Sequence, residues 1–309
     1  MVRHYLVTGG AGFIGSHITE SLLKRGDNVR IFDDFSTGKP ENVPSGAETI
    51  KCTITDLDAL KTAFKGIYGV FHAAALPRVQ LSIEEPWRTN EINVTGTLNV
   101  LLAARDAGVR RVVYSASSSV YGDQQTLLLR EDMKPNPLSP YGLQKYVGEE
   151  YCKLASMFWN VETVSLRYFN VYGPRLAFEG SYVTVIAVFL KQLAAREPLT
   201  ITGDGEQTRD FTFVDDVVRA NLLAMESEAV GKGEVINIGA GNNRSVNDVA
   251  KLIGGPVEHI EARIEPHDTL ADITRANAFL GWAPKVEFEE GLNRTMNWFE
   301  RVRPGIHNS

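Results

Sequence analysis

The chain has 309 residues, of which 43% are hydrophobic and 23% are charged, and its formal net charge is −6. These proportions are typical of a globular protein with one large domain or a large and a small one, and the acidic balance argues against a nucleic-acid surface. The sequence contains no apolar run long enough to span a membrane and no secretory signal pattern, so we expect a cytoplasmic protein without membrane contact.

The first predicted unit is a strand, a glycine-rich turn and a helix. Apolar residues at 5–7 predict the strand, and an amphipathic stretch through Leu23 predicts the helix. Between them, Gly9 permits a tight turn, Gly12 lets the backbone approach a pyrophosphate, and Gly15 lets the helix and strand pack closely. The free N–H groups at the helix start would then face phosphate groups.

An acidic pair follows the second predicted strand, which covers residues 29–32. Asp33 comes 18 residues after Gly15, where a carboxylate can accept hydrogen bonds from the adenosine ribose of a dinucleotide. Asp33 and Asp34 together would repel a 2′-phosphate, so the pattern favours NAD over NADP. The alternative is a surface turn with two acids, but strand, turn, helix and acid occur in the order that dinucleotide binding requires.

Strands and helices continue to alternate to about residue 168. Further strands are predicted at 49–52, 68–71, 111–114 and 161–166, and helices at 56–64, 92–107 and 141–158. This succession predicts an α/β fold with a doubly wound parallel sheet. Ala73, Ala74 and Ala75 follow one of these strands, and such small residues would let the backbone lie against a ligand at the sheet's carboxyl edge.

The regular alternation of predicted strands and helices ends in the second half of the chain. The pattern predicts helices at 183–195, 215–225 and 245–253, strands at 199–201, 211–214 and 235–238, then a loop to 272 and helices near 273 and 289. We interpret this half as a smaller lobe that exchanges segments with the sheet domain. The predicted division is 1–168 with about 211–240 for the dinucleotide-binding domain, and 169–210 with about 241–309 for the substrate-binding lobe.

A tyrosine and a lysine stand four residues apart on the helix predicted at 141–158. Tyr141 and Lys145 would share one helix face, and the ammonium and a positive nicotinamide ring would both favour the phenolate. This spacing occurs by chance on many helices, but here a serine cluster at 115–119 precedes the helix at a strand end. A hydroxyl there could hydrogen-bond the same substrate oxygen and relay a proton.

Cysteine and histidine usage suggests no other chemistry. Cys52 and Cys152 form neither a disulfide framework nor a CxxC pair, and both are predicted to be buried small side chains. The six histidines have no metal-ligand spacing, and His72 is interpreted as structural, so no metal is expected.

Five motifs are spread over nearly the whole chain. They are TGGAGFIG at 8–15, the Tyr141/Lys145 pair, RYFNVYGPR at 167–175, DGEQTRDF at 204–211 and LGWAP at 280–284. In content and order they resemble the extended short-chain dehydrogenase/reductase family, and within it the UDP-hexose 4-epimerases of the UDP-galactose and UDP-N-acetylglucosamine type. The resemblance implies a Rossmann sheet with a smaller α/β substrate-binding lobe, NAD as cofactor and a UDP-sugar as substrate.

The resemblance also implies roles for individual residues. Ser117, Tyr141 and Lys145 would be catalytic, with Tyr141 as the base and Lys145 holding the nicotinamide ribose. The substrate contacts would be Ser117, Tyr141, Asn170, Arg209, Arg263 and Thr269, the two arginines serving the diphosphate. The cofactor contacts, including those derived above, would be Gly9, Gly12, Phe13, Ile14, Gly15, Asp33, Asp34, Phe35, Ser36, Thr37, Gly38, Thr53, Ile54, Ala73, Ala74, Ala75, Asn93, Tyr141, Lys145 and Phe169.

Two segments depart from the family pattern. Thr53 stands where the family usually has an aspartate at the adenine contact, so a hydroxyl replaces a carboxylate there. The segment at 263–268 lacks the usual arginine-rich, glycine-containing form.

The reaction is narrowed by two serines that follow Ser117. Dehydratases of this type have Asp-Glu where Ser118 and Ser119 stand, and decarboxylases have a glutamate at the position of Ser119. The resemblance therefore implies reversible oxidation at C4, which is epimerisation through a 4-keto sugar. Thr269 matches the position that gates the 2-substituent, and its small size favours UDP-GlcNAc/UDP-GalNAc, with UDP-Glc/UDP-Gal as further substrates.

Other members of the same family are the alternatives: a UDP-glucuronate 4-epimerase, a decarboxylase or a reductase. A non-catalytic NAD-binding sensor is a further alternative, which the intact Ser117, Tyr141 and Lys145 set disfavours. The resemblance also implies a homodimer, in which the helices predicted from 92 and 141 would pair with their copies.

Overall fold

A computed structural model describes residues 2–178, 184–261 and 266–302. The predicted diphosphate contact Arg263 lies outside these described residues. No helix within them is long and apolar enough to cross a membrane.

The described residues form strands and helices in alternation through the first half of the chain. The strands are β1 (His4–Thr8), β2 (Asn28–Asp33), β3 (Glu48–Lys51), β4 (Gly69–His72), β5 (Arg111–Ser117), β6 (Leu128–Leu129), β7 (Glu162–Tyr168), β8 (Val171–Tyr172), β9 (Leu199–Thr202), β10 (Thr208–Asp210), β11 (Thr212–Phe213), β12 (Lys232–Ile238), β13 (Asn243–Ser245), β14 (Val257–Ile260) and β15 (Leu270–Ala271). The helices are α1 (Phe13–Lys24), α2 (Leu57–Ala63), α3 (Val79–Glu84), α4 (Pro86–Asn90), α5 (Thr97–Ala107), α6 (Pro140–Phe158), α7 (Val185–Ala195), α8 (Val214–Glu226), α9 (Val246–Ile253), α10 (Thr274–Leu280) and α11 (Phe288–Val302).

Seven parallel strands form the central sheet, in the order β12-β7-β5-β4-β1-β2-β3. These strands are largely apolar, as expected where helices cover both faces of a sheet. The strand order reverses between β1 and β4, and open α/β sheets bind ligands at such a point, beyond the carboxyl ends of the strands. The predicted doubly wound parallel sheet is therefore confirmed.

Each face of the sheet has its own hydrophobic core. Residues of α1, α8 and α10 pack on one face, where the fully buried Trp282 ring also lies. Residues of α2, α5 and α6 pack on the other. A third core joins α7, α9, α11 and β9 away from the sheet. The two-part division of the chain stays a prediction, although β12 does extend the sheet beside β7 as that division requires.

Two regions differ from the sequence-based elements. The helix predicted at 92–107 begins with a π-helical segment, Glu91–Gly96, before α5. The predicted loop before residue 272 contains β14 and β15, which pair with β9 and β6 respectively. Strands of two to four residues have no readable periodicity, and their partners are distant in sequence, so the pattern did not indicate them.

Candidate active site

The turn between β1 and α1 has no room for side chains. Gly9 has a left-handed φ of +69°, and a Cβ there would lie 2.7 Å from the Ala74 nitrogen. A Cβ on Gly15 would lie 2.2 Å from the Gly9 carbonyl oxygen, which accepts a hydrogen bond from the Gly12 N–H at 3.0 Å. Gly12 precedes α1, and no described side chain caps that helix start. The start of α1 is thus a place for an anion, which the helix dipole attracts.

The Asp33 carboxylate connects this turn to the end of β2. Its Oδ2 accepts a hydrogen bond from the Ala11 N–H at 2.9 Å, and its Oδ1 accepts one from the Phe35 N–H at 2.8 Å. Burial raises the pKa of Asp33, and these bonds oppose that change because they stabilise the charged form. Each oxygen has a second acceptor position, which a ribose hydroxyl could use.

A large cleft lies along the carboxyl edge of the sheet and contains most of the predicted cofactor contacts. Those lining it are Gly9, Gly12, Phe13, Ile14, Gly15, Asp33, Asp34, Ser36, Thr37, Ile54, Ala73, Ala74, Ala75, Tyr141 and Lys145. One cleft therefore joins the anion site at α1, the carboxylate at β2 and the tyrosine–lysine pair on α6.

Tyr141 and Lys145 face this cleft from the first two turns of α6 and are 8% and 4% exposed. The Lys145 ammonium donates to the Ser115 carbonyl oxygen at 2.8 Å and lies 5.9 Å from the centre of the Tyr141 ring. Ser117, at the end of β5, lies near enough to the Tyr141 phenol to lower its pKa. The structure thus brings together the three residues predicted to be catalytic.

The start of α6 is held in place by two serines. Ser139 caps the helix by accepting a hydrogen bond from the Gly142 N–H at 3.1 Å. The Tyr141 N–H donates to the Ser82 hydroxyl at 3.0 Å, which connects α6 to α3. These contacts determine where the phenol stands in the cleft.

Burial opposes the charged forms of both members of the pair. It raises the pKa of Tyr141 to about 12, and the nearby Ser117 hydroxyl only partly offsets this. Burial lowers the pKa of Lys145 to about 8. Within the chain itself, desolvation of the phenol therefore outweighs the side chain that favours the phenolate.

Asn93 and His72 support the cleft from behind. The Asn93 amide accepts from the Leu76 N–H at 2.8 Å and donates to the Leu76 carbonyl at 3.1 Å and to Gln144 at 2.8 Å. It therefore holds the loop after β4 against α6. The His72 ring lies between the Thr8 and Thr97 hydroxyls, at 2.7 and 3.0 Å, and burial lowers its pKa to about 3.

Among the described residues, no group of three or more His, Cys, Asp or Glu could hold a metal ion.

The remaining predicted cofactor contacts have other surroundings. The Thr53 hydroxyl lies 3.0 Å from that of Thr55. A Cβ on Gly38 would lie 2.8 Å from the Ala11 Cβ, so this glycine allows its loop to pack on the turn before α1. Phe169 is fully buried with Tyr121 in a small core and does not line the cleft. Phe35 has a left-handed φ of 60°, and its N–H holds Asp33 as described above.

Several cleft residues were missed by the sequence analysis. Cys52 lines the cleft and is only partly buried, so its predicted burial is wrong, whereas Cys152 is buried as predicted. Other missed residues continue the loop after Ala75 or follow Gly173, namely Leu76, Pro77, Arg78, Leu176, Ala177 and Thr184. The small-residue run after β4 was the signal for the first group, because the chain there continues along the same sheet edge.

A second cleft contains two predicted substrate contacts, Asn170 and Arg209. It shares Pro77, Val171 and Thr184 with the first cleft, so the two adjoin. An Arg209 Nη donates to the backbone carbonyls of Thr208 and His267, both at 2.9 Å. A guanidinium held in this way suits a diphosphate group.

Folding of the chain places Thr269 next to Asn170. Its hydroxyl accepts hydrogen bonds from the Asn170 side-chain amide and the Asp210 N–H, both at 3.4 Å. The Asp210 carboxylate is fully buried and accepts from the N–H groups of Ala240, Gly241 and Ala271. Asp210 therefore joins β10, β15 and the loop after β12, and thereby positions the predicted substrate residues.

The turn, the acid and the buried pair define the class of protein. The close glycine turn and open helix start fit a pyrophosphate, Asp33 fits a ribose, and Tyr141 and Lys145, which line the same cleft beside Ser117, are of the residue types that transfer protons. Together they describe a dinucleotide-dependent enzyme that acts on a hydroxyl or carbonyl group.

Comparison with known proteins is consistent with this class. The model of the NAD dependent epimerase/dehydratase family matches residues 5–239. A UDP-glucose 4-epimerase from Mycolicibacterium smegmatis is 38% identical over 309 residues, covering 95% of this chain and 97% of that protein. A UDP-N-acetyl-alpha-D-glucosaminuronate decarboxylase from Bacillus cytotoxicus is 33% identical, covering 98% of this chain and 99% of that protein.

A solved structure agrees over the same length. It is that of a UDP-N-acetylglucosamine 4-epimerase from Methanobrevibacter ruminantium in complex with UDP-N-acetylmuramic acid. Its TM-score is 0.93 at 35% identity, and the match covers 98% of this chain and 99% of that one. The chain belongs to the NAD dependent epimerase/dehydratase family, so the predicted family and the predicted cofactor NAD are confirmed.

Proposed function

We propose that the chain is a UDP-hexose 4-epimerase that interconverts UDP-GlcNAc and UDP-GalNAc, and also UDP-Glc and UDP-Gal, through a transient 4-keto sugar. The observation that supports this most directly is the buried pair Tyr141 and Lys145 beside the partly buried Ser117, which two further serines, Ser118 and Ser119, follow. A base and a hydroxyl suffice for oxidation at C4, whereas elimination or decarboxylation calls for a further acid–base group.

Each member of this group has a distinct task in the proposal. Tyr141 accepts the proton of the sugar 4-hydroxyl and returns it when the 4-keto sugar is reduced. Ser117 hydrogen-bonds the same oxygen. Lys145 keeps a positive charge near the phenol and holds the nicotinamide ribose. When bound, NAD supplies the hydride acceptor for C4 and a positively charged ring beside the phenol.

Asn170 and Arg209 of the second cleft, with Thr269 beside Asn170, are proposed to hold the nucleotide sugar. Arg209 pairs with the diphosphate, and Asn170 contacts the sugar nucleotide beside it. Thr269 leaves space for the substituent at C2 because its side chain is small and is turned to Asn170. This arrangement favours N-acetylated substrates without excluding glucose and galactose.

The test is turnover of separate UDP-sugars by the purified protein without added NAD. We expect C4 epimers of UDP-GlcNAc and UDP-Glc to interconvert, because tightly held NAD is regenerated in each cycle. A pentose product from UDP-glucuronate would instead identify a decarboxylase, and a lasting 4-keto product would likewise support another enzyme of the family. Absence of turnover with every UDP-sugar would favour the non-catalytic NAD sensor.

We also propose a cytoplasmic homodimer that pairs through α6. Leu154, Met157 and Phe158 are 41%, 63% and 70% exposed on this helix, and apolar side chains grouped in this way commonly mark an interface. Replacing Leu154 and Met157 by glutamate should give a monomer in sedimentation analysis, whereas Lys153→Glu on the same helix should leave the dimer intact. A wild-type protein that sediments as a monomer would contradict the proposal.

A further inference from the structure

The Lys145 ammonium lies over the ring of a second tyrosine, Tyr114 of β5. Its Nζ is 5.0 Å from the centre of the Tyr114 ring, closer than the 5.9 Å that separates it from the centre of the Tyr141 ring. A cation within about 6 Å of a ring centre is attracted by the negative face of the ring, and more strongly where water is excluded. Tyr114 is 1% exposed and Lys145 is 4% exposed. The contact is therefore buried, where this attraction is strong.

The Tyr114 ring is held in place from two sides. On one side the His72 ring lies 5.5 Å away, and burial keeps that ring neutral by lowering its pKa to about 3. On the other side, a Cβ on Gly148 would lie 2.2 Å from the Tyr114 hydroxyl oxygen and 2.6 Å from its Cζ. Gly148 is three residues after Lys145, on the same side of α6. Glycine is unfavourable inside a helix, but here its small size lets the ring lie against α6, within reach of the ammonium.

The surroundings of Lys145 otherwise give its charge limited support. Burial disfavours the charged form and lowers the pKa of Lys145 to about 8. One of its three N–H groups donates to the Ser115 carbonyl at 2.8 Å. Burial raises the pKa of the nearby Cys152 thiol to about 12, so this thiol is neutral. Glu149 favours the ammonium, but its double hydrogen bond to Arg167, at 2.8 and 2.7 Å, largely neutralises its charge.

We propose that Tyr114 is a positioning residue, whose ring face holds the Lys145 ammonium in place and favours its charged form. The consequence for turnover rests on the proposed function, in which Lys145 supplies a positive charge near the Tyr141 phenol. The inference extends that function by giving a task to an aromatic side chain that does not line the first cleft.

The titratable groups near Lys145 come from three strands and from α6 itself. They are His72 on β4, Tyr114 on β5, Arg167 and Tyr168 on β7, and Tyr141, Glu149 and Cys152 on α6. His72 and Cys152 are neutral near neutral pH, and Glu149 and Arg167 are paired with each other. The ring of Tyr114 is therefore an important local contribution to the charge of Lys145.

Other titratable groups on α6 and on the elements that pack against it are at least partly exposed or are held by partners elsewhere. They are Tyr146, Glu150, Tyr151 and Lys153 on α6, Glu84 on α3, Glu85 before α4 and Arg88 in it, Glu91 in the π-helical segment, Arg105 and Asp106 on α5, Arg111 on β5, Glu162 on β7, and Lys232 and Glu234 on β12.

The first experiment measures the pKa of Lys145 itself. In protein with its bound NAD and with ¹³C- and ¹⁵N-labelled lysine, the Lys145 signal is the NMR signal that is missing from Lys145→Met. Tyr114→Leu removes the ring face and should lower the pKa of Lys145 by about one unit. Tyr114→Phe keeps a ring face and should leave the pKa near the wild-type value. Val112→Ala, in the same strand and core, is the control for lost packing and should also leave the pKa unchanged.

The second experiment is the pH dependence of epimerisation by the same variants. Because Lys145 is charged below its pKa, kcat should fall as the pH rises through that pKa. In Tyr114→Leu this fall should begin about one pH unit lower, so that kcat is about fivefold below wild type at pH 8 and approaches wild type at acidic pH. KM for the UDP-sugar should change little, and Tyr114→Phe should keep the wild-type profile.

An unchanged Lys145 pKa in Tyr114→Leu, or a loss of kcat that is equal at every pH, would overturn the positioning role. A pKa that falls as far in Tyr114→Phe as in Tyr114→Leu would also overturn it, because phenylalanine keeps the ring face. If the leucine variant does not fold, Tyr114→Met replaces it in both measurements. Failure of the proposed function is seen separately, as turnover that survives in Tyr141→Phe, and it does not alter the NMR result.

Discussion

At the scale of single residues, Tyr141 and Lys145 show that the environment of a proposed catalytic pair can differ from what its spacing suggests. Both side chains are buried, and burial disfavours the phenolate as well as the ammonium. A phenol with a pKa of about 12 is a poor base near neutral pH. In the proposed function, ionisation of this buried phenol would therefore depend on the nearby Ser117 hydroxyl, the helix dipole at the start of α6 and the positive ring of bound NAD.

Replacing the phenol hydroxyl tests this site directly. We expect Tyr141→Phe to lower kcat for epimerisation by about 10³-fold, because general base catalysis is lost while the ring still fills its place. Bound NAD, measured after release by denaturation, should stay near the wild-type amount. Tyr146→Phe on the same helix is the matched control, and similar losses in both variants would contradict the assignment.

Thr269 tests substrate choice. A tyrosine there would fill the space beside Asn170, so Thr269→Tyr should suppress turnover of UDP-GlcNAc roughly tenfold or more and spare UDP-Gal. The measurement is kcat/KM for both substrates. Equal losses on the two would refute the gate, and Thr269→Ser should leave their ratio unchanged.

At the scale of elements, two glycines of the β1–α1 turn serve different purposes. Gly15 is required for packing, since a Cβ there would collide with the Gly9 carbonyl at 2.2 Å. Gly12 has more space, since a Cβ would lie 3.1 Å from the same oxygen, but it opens toward the cleft.

The two glycines should therefore respond differently to alanine. Gly15→Ala should lower the melting temperature and the bound NAD together. Gly12→Ala should keep a melting temperature near that of the NAD-free wild type yet retain far less NAD, because its methyl group would occupy the approach of the pyrophosphate. Thermal melting and NAD content of both variants decide this, and identical behaviour would show that packing alone governs both positions.

The π-helical segment is a second feature at the scale of elements. Glu91–Gly96 widens the helix before α5, and Asn93 in it contacts both Leu76 and Gln144. π-helical segments are often found at functional sites. Here the segment directs a buried amide to the loop that lines the cleft.

At the scale of the whole molecule, His72 links the central sheet to acid stability. Its ring is buried between Thr8 and Thr97, and its pKa is lowered to about 3. An unfolded histidine takes up a proton below about pH 6.5, whereas the folded ring stays neutral until about pH 3. The free energy of unfolding should therefore be unaffected by His72 above pH 6.5 and should fall as the pH drops toward 3, by a few kcal/mol in order of magnitude.

His72→Gln should remove this dependence of the free energy of unfolding on pH, even though the variant is less stable at neutral pH. Denaturant unfolding at several pH values between 3 and 8 measures the free energy of unfolding. His267→Gln is the control, because His267 is exposed beside Asp268 and its pKa is raised rather than lowered. If the free energy of unfolding of His72→Gln still falls as the pH drops toward 3, other titrating groups cause the loss of stability.

What the sequence alone determined is local in the chain. The glycine turn, Asp33 at the end of β2, and the four-residue spacing of Tyr141 and Lys145 each depend on one element or on two consecutive ones. Periodicity and spacing express such relations directly, because a helix or strand repeats them over neighbouring residues. The succession of βα units predicted the parallel sheet for the same reason.

Only the tertiary structure decided the rest. Asn170 meets Thr269 across 99 residues of chain, and β14 and β15 pair with strands that precede them by many elements. Cys52 rather than Thr53 lines the cleft, and burial raises the pKa of Tyr141 and lowers the pKa of Lys145. Such contacts and the desolvation of buried groups depend on which distant segments pack together. The spacing of residues along the sequence does not show which segments these are.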